Sequence, residues 1–269
     1  MPGHDAVDLL PDRGALIGDS WVSDLSGGVH PHVNPATGRL QKEVGLAGPA
    51  EIDGAVSAAH KAFPDWRAMP PDERRTILLR VAELFKAWTD DLATLATLES
   101  GCPSIFTPLL CGVLPSEYFT YYAGWVDKIE GSVIPVYPPA FDYTKREPYG
   151  TVAVLIPWNG PLTSIGQKVA PALAAGNCVI LKPPELAPFT ALRFGELGLE
   201  AGLPPGVLNV VPSGPEGGEA LVSHPGIDKI SFTGSGAAAE KVLTAAARNL
   251  TPVLLELGGK SANIIFADA

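Results

Sequence analysis

The sequence predicts a doubly wound α/β fold: a parallel sheet with helices on both faces, preceded by N-terminal helices and a β-hairpin. Three observations carry this. After Gly150, short runs rich in Val and Ile alternate with longer stretches of helical period. Before it, Ile52, Val56, Ala59 and Phe63, then Ile77, Leu78, Val81, Leu84, Phe85 and Trp88, recur at helical spacing. Gly234-Ser235-Gly236 falls where a strand gives way to a helix.

In chain order, 1–49 is rich in Gly, Pro and Asp, with apolar pieces Ala15-Leu16-Ile17 and Trp21-Val22, and reads as a small hairpin or wrapping arm. Helices are predicted over 51–63, 71–98 and 115–129. Residues 130–149 read as two extended strands joined by a Pro-Pro turn. Strands follow at 151–156, 178–182, 208–211, 229–232 and 252–256, with helices at 162–173, 189–201, 216–223 and 235–247. Each crossover between parallel strands must return over a face of the sheet, so the fold is layered and its ligands sit beyond the carboxyl ends of the strands. The chain divides into an arm and helical part (1–129), the two extended strands (130–149) and the βα units (150–269).

Composition excludes several classes. At 269 residues, 46% hydrophobic and 18% charged, the chain suits a globular protein. A net charge of −10 repels polyanions, so nucleic acid is a poor partner. The start MPGHDAVDLL lacks a basic and apolar leader, and no apolar run approaches the ~18 residues that span a bilayer, so a cytoplasmic protein with no membrane partner is expected. Cys102, Cys111 and Cys178 are too scattered for a disulfide framework or a metal site. His30 and His32 flank a proline with no acidic or Cys partner at ligand spacing, and structural or solvent roles are expected for them.

Gly234-Ser235-Gly236-Ala237-Ala238-Ala239 fits Gly-x-Gly-x-x-Ala, in which small residues let backbone amides approach a pyrophosphate at a helix N-terminus. Alone it also fits a tightly packed turn. Glu256 lies twenty residues beyond Gly236, the usual distance of a ribose-binding acid.

The strand ends form a more specific set: Ile156-Pro157-Trp158-Asn159, Lys182-Pro183-Pro184-Glu185, Phe232-Thr233-Gly234-Ser235 and Glu256-Leu257-Gly258-Gly259-Lys260-Ser261. In this order they resemble the aldehyde dehydrogenase superfamily, and the resemblance runs from Asn34-Pro35-Ala36-Thr37-Gly38 to the last residue. It implies a coenzyme-binding half of an enzyme that oxidises an aldehyde to a carboxylic acid through a cysteine thiohemiacetal, hydride transfer to NAD and thioester hydrolysis. Asn159 would donate to the developing oxyanion. Glu256 would be the general base that activates water, which displaces the ribose-acid reading because only this role accounts for Leu257-Gly258-Gly259. Lys182 and Glu185 would bind the adenosine ribose, with Glu185 favouring NAD over NADP because a 2′-phosphate would meet like charge. Ile156, Pro157, Trp158, Gly214, Gly218, Phe232, Thr233, Gly234, Ser235, Leu257 and Gly258 would complete the cofactor site.

There are departures. Family members commonly carry Thr-Glu-x-Gly where this chain has Gly236-Ala237-Ala238-Ala239, and the loop from Pro212 to Gly218 is slightly short. Only thirteen residues follow Glu256, so the expectation is a chain truncated before the catalytic cysteine, with the catalytic domain absent and the chain inactive alone. None of the three cysteines fits that role. The alternative is an inactive nucleotide-binding or interaction protein. Strands within 133–147 resemble the family's oligomerisation arm, which predicts a homo-oligomer.

Overall fold

The computed structural model describes residues 9–269, so most of the start read for a leader and the beginning of the arm lie outside the described residues. The N-terminal segment forms two hairpins. Strands β1 (Ala15–Ile17) and β2 (Ser20–Val22) turn about Gly18, whose φ of 65° is a backbone conformation that L side chains adopt with strain. Strands β3 (Val29–Val33) and β4 (Leu40–Gly45) form a separate antiparallel pair.

Helix α1 (Pro49–Ala68) starts at a proline, and Glu51 in its first turn reaches back to the Gly48 amide at 2.7 Å. It runs beyond the predicted end at 63, through Pro64, because Trp66 is buried in the core. The predicted helix 71–98 is two helices, α2 (Pro71–Ala87) and α3 (Thr89–Ser100). At the break Trp88 takes φ −100° and ψ 14°, outside the helical region. A π-helical segment, Leu109–Val113, leads into α4 (Leu114–Ala123), which ends at Gly124, short of the predicted 129. The extended strands are β5 (Val133–Ile134) and β6 (Asp142–Tyr143), a short exposed hairpin.

The βα units follow as β7 (Thr151–Leu155), α5 (Pro161–Ala174), β8 (Cys178–Lys182), α6 (Phe189–Glu200), β9 (Leu208–Val210), α7 (Pro215–Ser223), β10 (Lys229–Gly234), α8 (Gly236–Ala247) and β11 (Val253–Leu257). All ladders among these five strands are parallel, in the order β11-β10-β7-β8-β9. The first three strands run outward in one direction and the last two in the other, so the order reverses between β7 and β10. That reversal is the switch point where open α/β sheets bind ligands. Of the small hairpin or wrapping arm expected, the structure has the hairpin, and it does more than wrap: β1 pairs antiparallel with β9, and β1–β2 extends the sheet to seven strands. Strands of three residues carry too little alternation to announce this pairing.

Helices cover both faces. Helix α1 packs with α7 and against β8, while α5 and α6 lie on the other face beneath α2, α3 and α4. Strand β7 is buried along its whole length, as a central parallel strand must be. No helix among the described residues is long and apolar enough to cross a membrane.

Candidate functional site

The parallel register sets the ends of four strands abreast. Leu155 pairs with Lys182 and with Phe232, and Thr233 pairs with Glu256. One residue further, Ile156 bonds to the Lys182 carbonyl at 3.2 Å, and the chain turns out through Pro157, Trp158 and Asn159 into α5. Trp158, Asn159, Ser235, Glu256, Leu257 and Gly258 are exposed, Ile156 and Phe232 are buried, and Pro157, Lys182, Glu185, Gly214, Gly218, Thr233 and Gly234 lie between.

Side chains alternate between faces along a strand, which assigns each group a side. Ser231 faces α5, because its hydroxyl receives a 3.1 Å hydrogen bond from the Lys168 ammonium of that helix. Thr233, two residues on, and its partner Glu256 therefore share the α5 side, next to the turn that carries Asn159. Phe232 and Lys182 point the other way, toward α7 and α8. A Cβ on Gly218 of α7 would lie 3.7 Å from Lys182 Cε, ordinary contact that brings the first turn of α7 to the lysine stem. Burial lowers the Lys182 ammonium from its usual range, with Glu185 opposing that shift.

Lys168, absent from the residues singled out in the sequence, stands on the same side of the sheet as Glu256. Its side chain is buried, its ammonium is pushed down by burial and held up by the charge of Glu256. The signal was available: Ser164, Ile165, Lys168 and Val169 lie on one buried stripe of α5, so a cation stood at a core position.

The helix after β10 keeps a capped, solvent-facing start despite the alanines. Ser235 caps α8 by accepting the Ala238 amide at 3.3 Å, leaving the Gly236 and Ala237 amides, which a first turn cannot satisfy itself. No atom lies within 4 Å of where a Cβ would stand on Gly160, Gly236, Gly258 or Gly259, so the surface beside these strand ends is open. Gly234 differs, since a Cβ there would meet the Phe232 ring at 2.4 Å. A polar recess of about 140 Å³ between Arg13, Lys42 and Phe189 is lined by none of these residues. Amides at a helix start, a cation and a carboxylate after one strand, and a second carboxylate two strands beyond β7 thus stand along one end of the sheet.

The aldehyde dehydrogenase family model matches residues 21–269. The chain belongs to the aldehyde dehydrogenase family. It is 48% identical over 261 residues to human retinal dehydrogenase 2, covering 94% of this chain and 50% of that protein. A putative aldehyde dehydrogenase from Burkholderia cenocepacia superposes with a TM-score of 0.90 at 42% identity, covering 95% of this chain and 52% of the other. The NAD+ complex of a Bacillus cereus aldehyde dehydrogenase does so with a TM-score of 0.92 at 37% identity, covering 99% and 55%. The chain spans about half the length of the relatives it matches.

The cysteines stand apart from these strand ends. Cys178 begins β8, at the end of the strand opposite Lys182, and its thiol is pushed up to about 12 by burial. Burial does the same to Cys111 in the π-helical segment, and Cys102 lies in the loop after α3. All three are free thiols. Neither buried thiol has the lowered pKa that makes a thiolate nucleophile at neutral pH.

Proposed function

We propose that this chain is the coenzyme-binding part of an NAD-dependent aldehyde dehydrogenase that oxidises aldehydes to carboxylic acids. The observation that carries the reading is the register: Glu256 on β11, the amides after β10, the turn bearing Asn159 after β7 and Lys182 on β8 all emerge at one end of one parallel sheet, around its switch point. Bound NAD would accept the hydride. The Lys182 ammonium and Glu185 carboxylate would hold the adenosine ribose hydroxyls, and the Gly236 and Ala237 amides would receive the pyrophosphate. Ile156, Pro157, Gly214, Gly218, Phe232, Thr233 and Gly234 would shape the surface beneath, and Leu257 and Gly258 would offer backbone to the nicotinamide end.

In the complete enzyme the nucleophilic thiol would be other than the three cysteines present. Attack on the aldehyde carbonyl places negative charge on its oxygen, and the exposed Asn159 amide can donate to that oxygen without itself changing charge. After hydride loss, Glu256 would take a proton from water as the water attacks the thioester carbonyl, releasing the acid and restoring the thiolate. The charge of Glu256 opposes the lowering of the buried Lys168 ammonium.

The reading favours NAD over NADP, since Glu185 would stand beside a 2′-phosphate, and it places β5–β6 in a homo-oligomer contact, supported by the exposure of Val133, Phe141 and Tyr143. Three free thiols accord with a reducing cytoplasmic compartment. Calorimetric titration of the chain with NAD and NADP is the test. We expect NAD to bind more tightly, Lys182→Ala to weaken both, and Glu185→Gln to narrow the difference. Equal affinity for the two cofactors, unchanged by Glu185→Gln, would remove the specificity argument, and absence of NAD binding would remove the function.

A further inference from the structure

The loop that carries Glu185, residues 183–188 between β8 and α6, is held by two buried groups from outside the βα units. Glu99, at the end of α3 and 2% exposed, accepts from the Phe189 amide, from the Thr190 amide at 3.1 Å and from the Thr190 hydroxyl at 2.6 Å. His32, on β3 and equally buried, has its Nε2 3.2 Å from the carbonyl oxygen of Leu186. Its tautomer follows from its neighbours. Gln41 Nε2 donates to the Leu98 carbonyl at 2.8 Å and lies 3.4 Å from His32 Nδ1, so Nδ1 is the acceptor and Nε2–H donates to Leu186. The imidazole also meets the Phe189 ring edge-on, with centroids 4.8 Å apart. Within the loop, the Ala187 amide closes a turn onto the Pro184 carbonyl at 3.1 Å.

Helix stability alone does not call for this arrangement. An N-cap is usually a local Ser, Thr, Asp or Asn, whereas α6 has Pro188 there and receives its acceptor from ninety residues upstream. A local hydroxyl would cap the helix without burying a carboxylate, a costly step. What the distant carboxylate adds is a fixed position for the start of α6 relative to α3, and what His32 adds is a fixed position for Leu186, the residue next to Glu185. Lys182 anchors the other end of the loop through the bond from the Ile156 amide to its carbonyl.

We propose that Glu99 and His32 are positioning residues for cofactor binding: from α3 and β3 they clamp the loop 183–188 so that Glu185 and Lys182 converge on one ribose. The inference rests on the reading of Lys182 and Glu185 as the ribose-binding pair. Neither clamp residue touches the ligand, and both act through the backbone of the loop.

The test compares His32→Ala, His32→Gln, Glu99→Gln and Glu185→Gln with the unaltered chain, each at a temperature well below its own melting point. AMP is titrated as the probe, and hydrogen exchange is followed at the amides of residues 185–187. We expect His32→Ala to weaken AMP about five- to tenfold by loosening a preorganised loop, and to speed exchange at those amides. His32→Gln, which returns an N–H donor, should recover most of both effects, and Glu99→Gln should fall between. A purely structural role would lower the melting temperature while leaving AMP affinity and loop exchange unchanged, and that result overturns the proposal. If the unaltered chain binds AMP and Glu185→Gln abolishes binding while the clamp variants bind normally, only the clamp is wrong. If AMP fails to bind the unaltered chain, the ribose assignment falls and the clamp's role in binding falls with it.

Discussion

Strands β8 and β11 have nearly the same apolar content, CVILK against VLLEL, and opposite surroundings. Four of the five residues of β8 are buried, whereas in β11 three are exposed and two half-buried, with Leu254 at 48% and Leu257 at 47%. The cause is position. Strand β8 lies between β7 and β9 with helices on both faces, and β11 pairs only with β10 at the sheet's edge. An apolar run therefore tells where a strand forms, and the topology tells whether it is covered. The proposed chemistry gathers toward the uncovered edge, where Glu256 has solvent access, while the strand that begins the ribose loop is held rigid at the centre.

The contrast can be broken by substitution. Leu181→Ala in β8 opens a cavity in a fully buried layer and should cost about 2–5 kcal/mol, while Leu254→Ala in β11 should cost under about 1 kcal/mol. Urea unfolding of the two variants checks this, and equal losses would mean that β11 is as tightly packed as β8.

The covered region also holds a titrating carboxylate. Burial raises Glu99 from its ordinary 4.5 to about 7, against the hydrogen bonds from Thr190 and Phe189. Between those values the native state holds more protons than the unfolded chain. Stability is then fully present below pH 4.5 and is lost as pH rises through about 7, with a total contribution of at most about 3 kcal/mol. Glu99→Gln should flatten that part of the stability–pH curve, as followed by denaturant titration at several pH values. An unchanged slope would show that Glu99 is not the group titrating there.

Glycines sharpen the comparison at shorter range. Gly234→Ala, at the end of β10, forces a methyl into the Phe232 ring and should cost about 1–3 kcal/mol, while Gly258→Ala just past β11 enters open space and should stay within about 0.5 kcal/mol. Thermal melts of both variants would separate them. The smallest effect is expected at the surface pair Arg67–Glu147, 2.9 Å apart and half exposed at each end, which ties α1 to the segment after β6. A double-mutant cycle should give about 0–1 kcal/mol, falling with added salt.

Much of this was legible in the chain because it is local. The five parallel strands follow from Val- and Ile-rich runs, and the site residues fall at their ends because a strand and the turn after it are consecutive in sequence. What escaped is non-local or too short for periodicity. The β1–β9 pairing joins Leu16 to Val210, the break at Trp88 falls inside an unbroken helical pattern, and Glu99 meets α6 across ninety residues. Structural or solvent roles are expected for His32 from the sequence, and its burial fits the first, but no spacing rule connects it to Leu186. Lys168 was the exception, a charge on an apolar helix stripe that periodicity alone exposes.

Lys182 and Glu256 look out on opposite banks of the same rim, since the register and the two-residue alternation leave no other arrangement. A short molecule can rest on one bank only, and contact with both demands a molecule long enough to straddle the edge. Two fragments cut from such a molecule would lodge side by side without competing, and joining them would raise their grip through effective concentration alone.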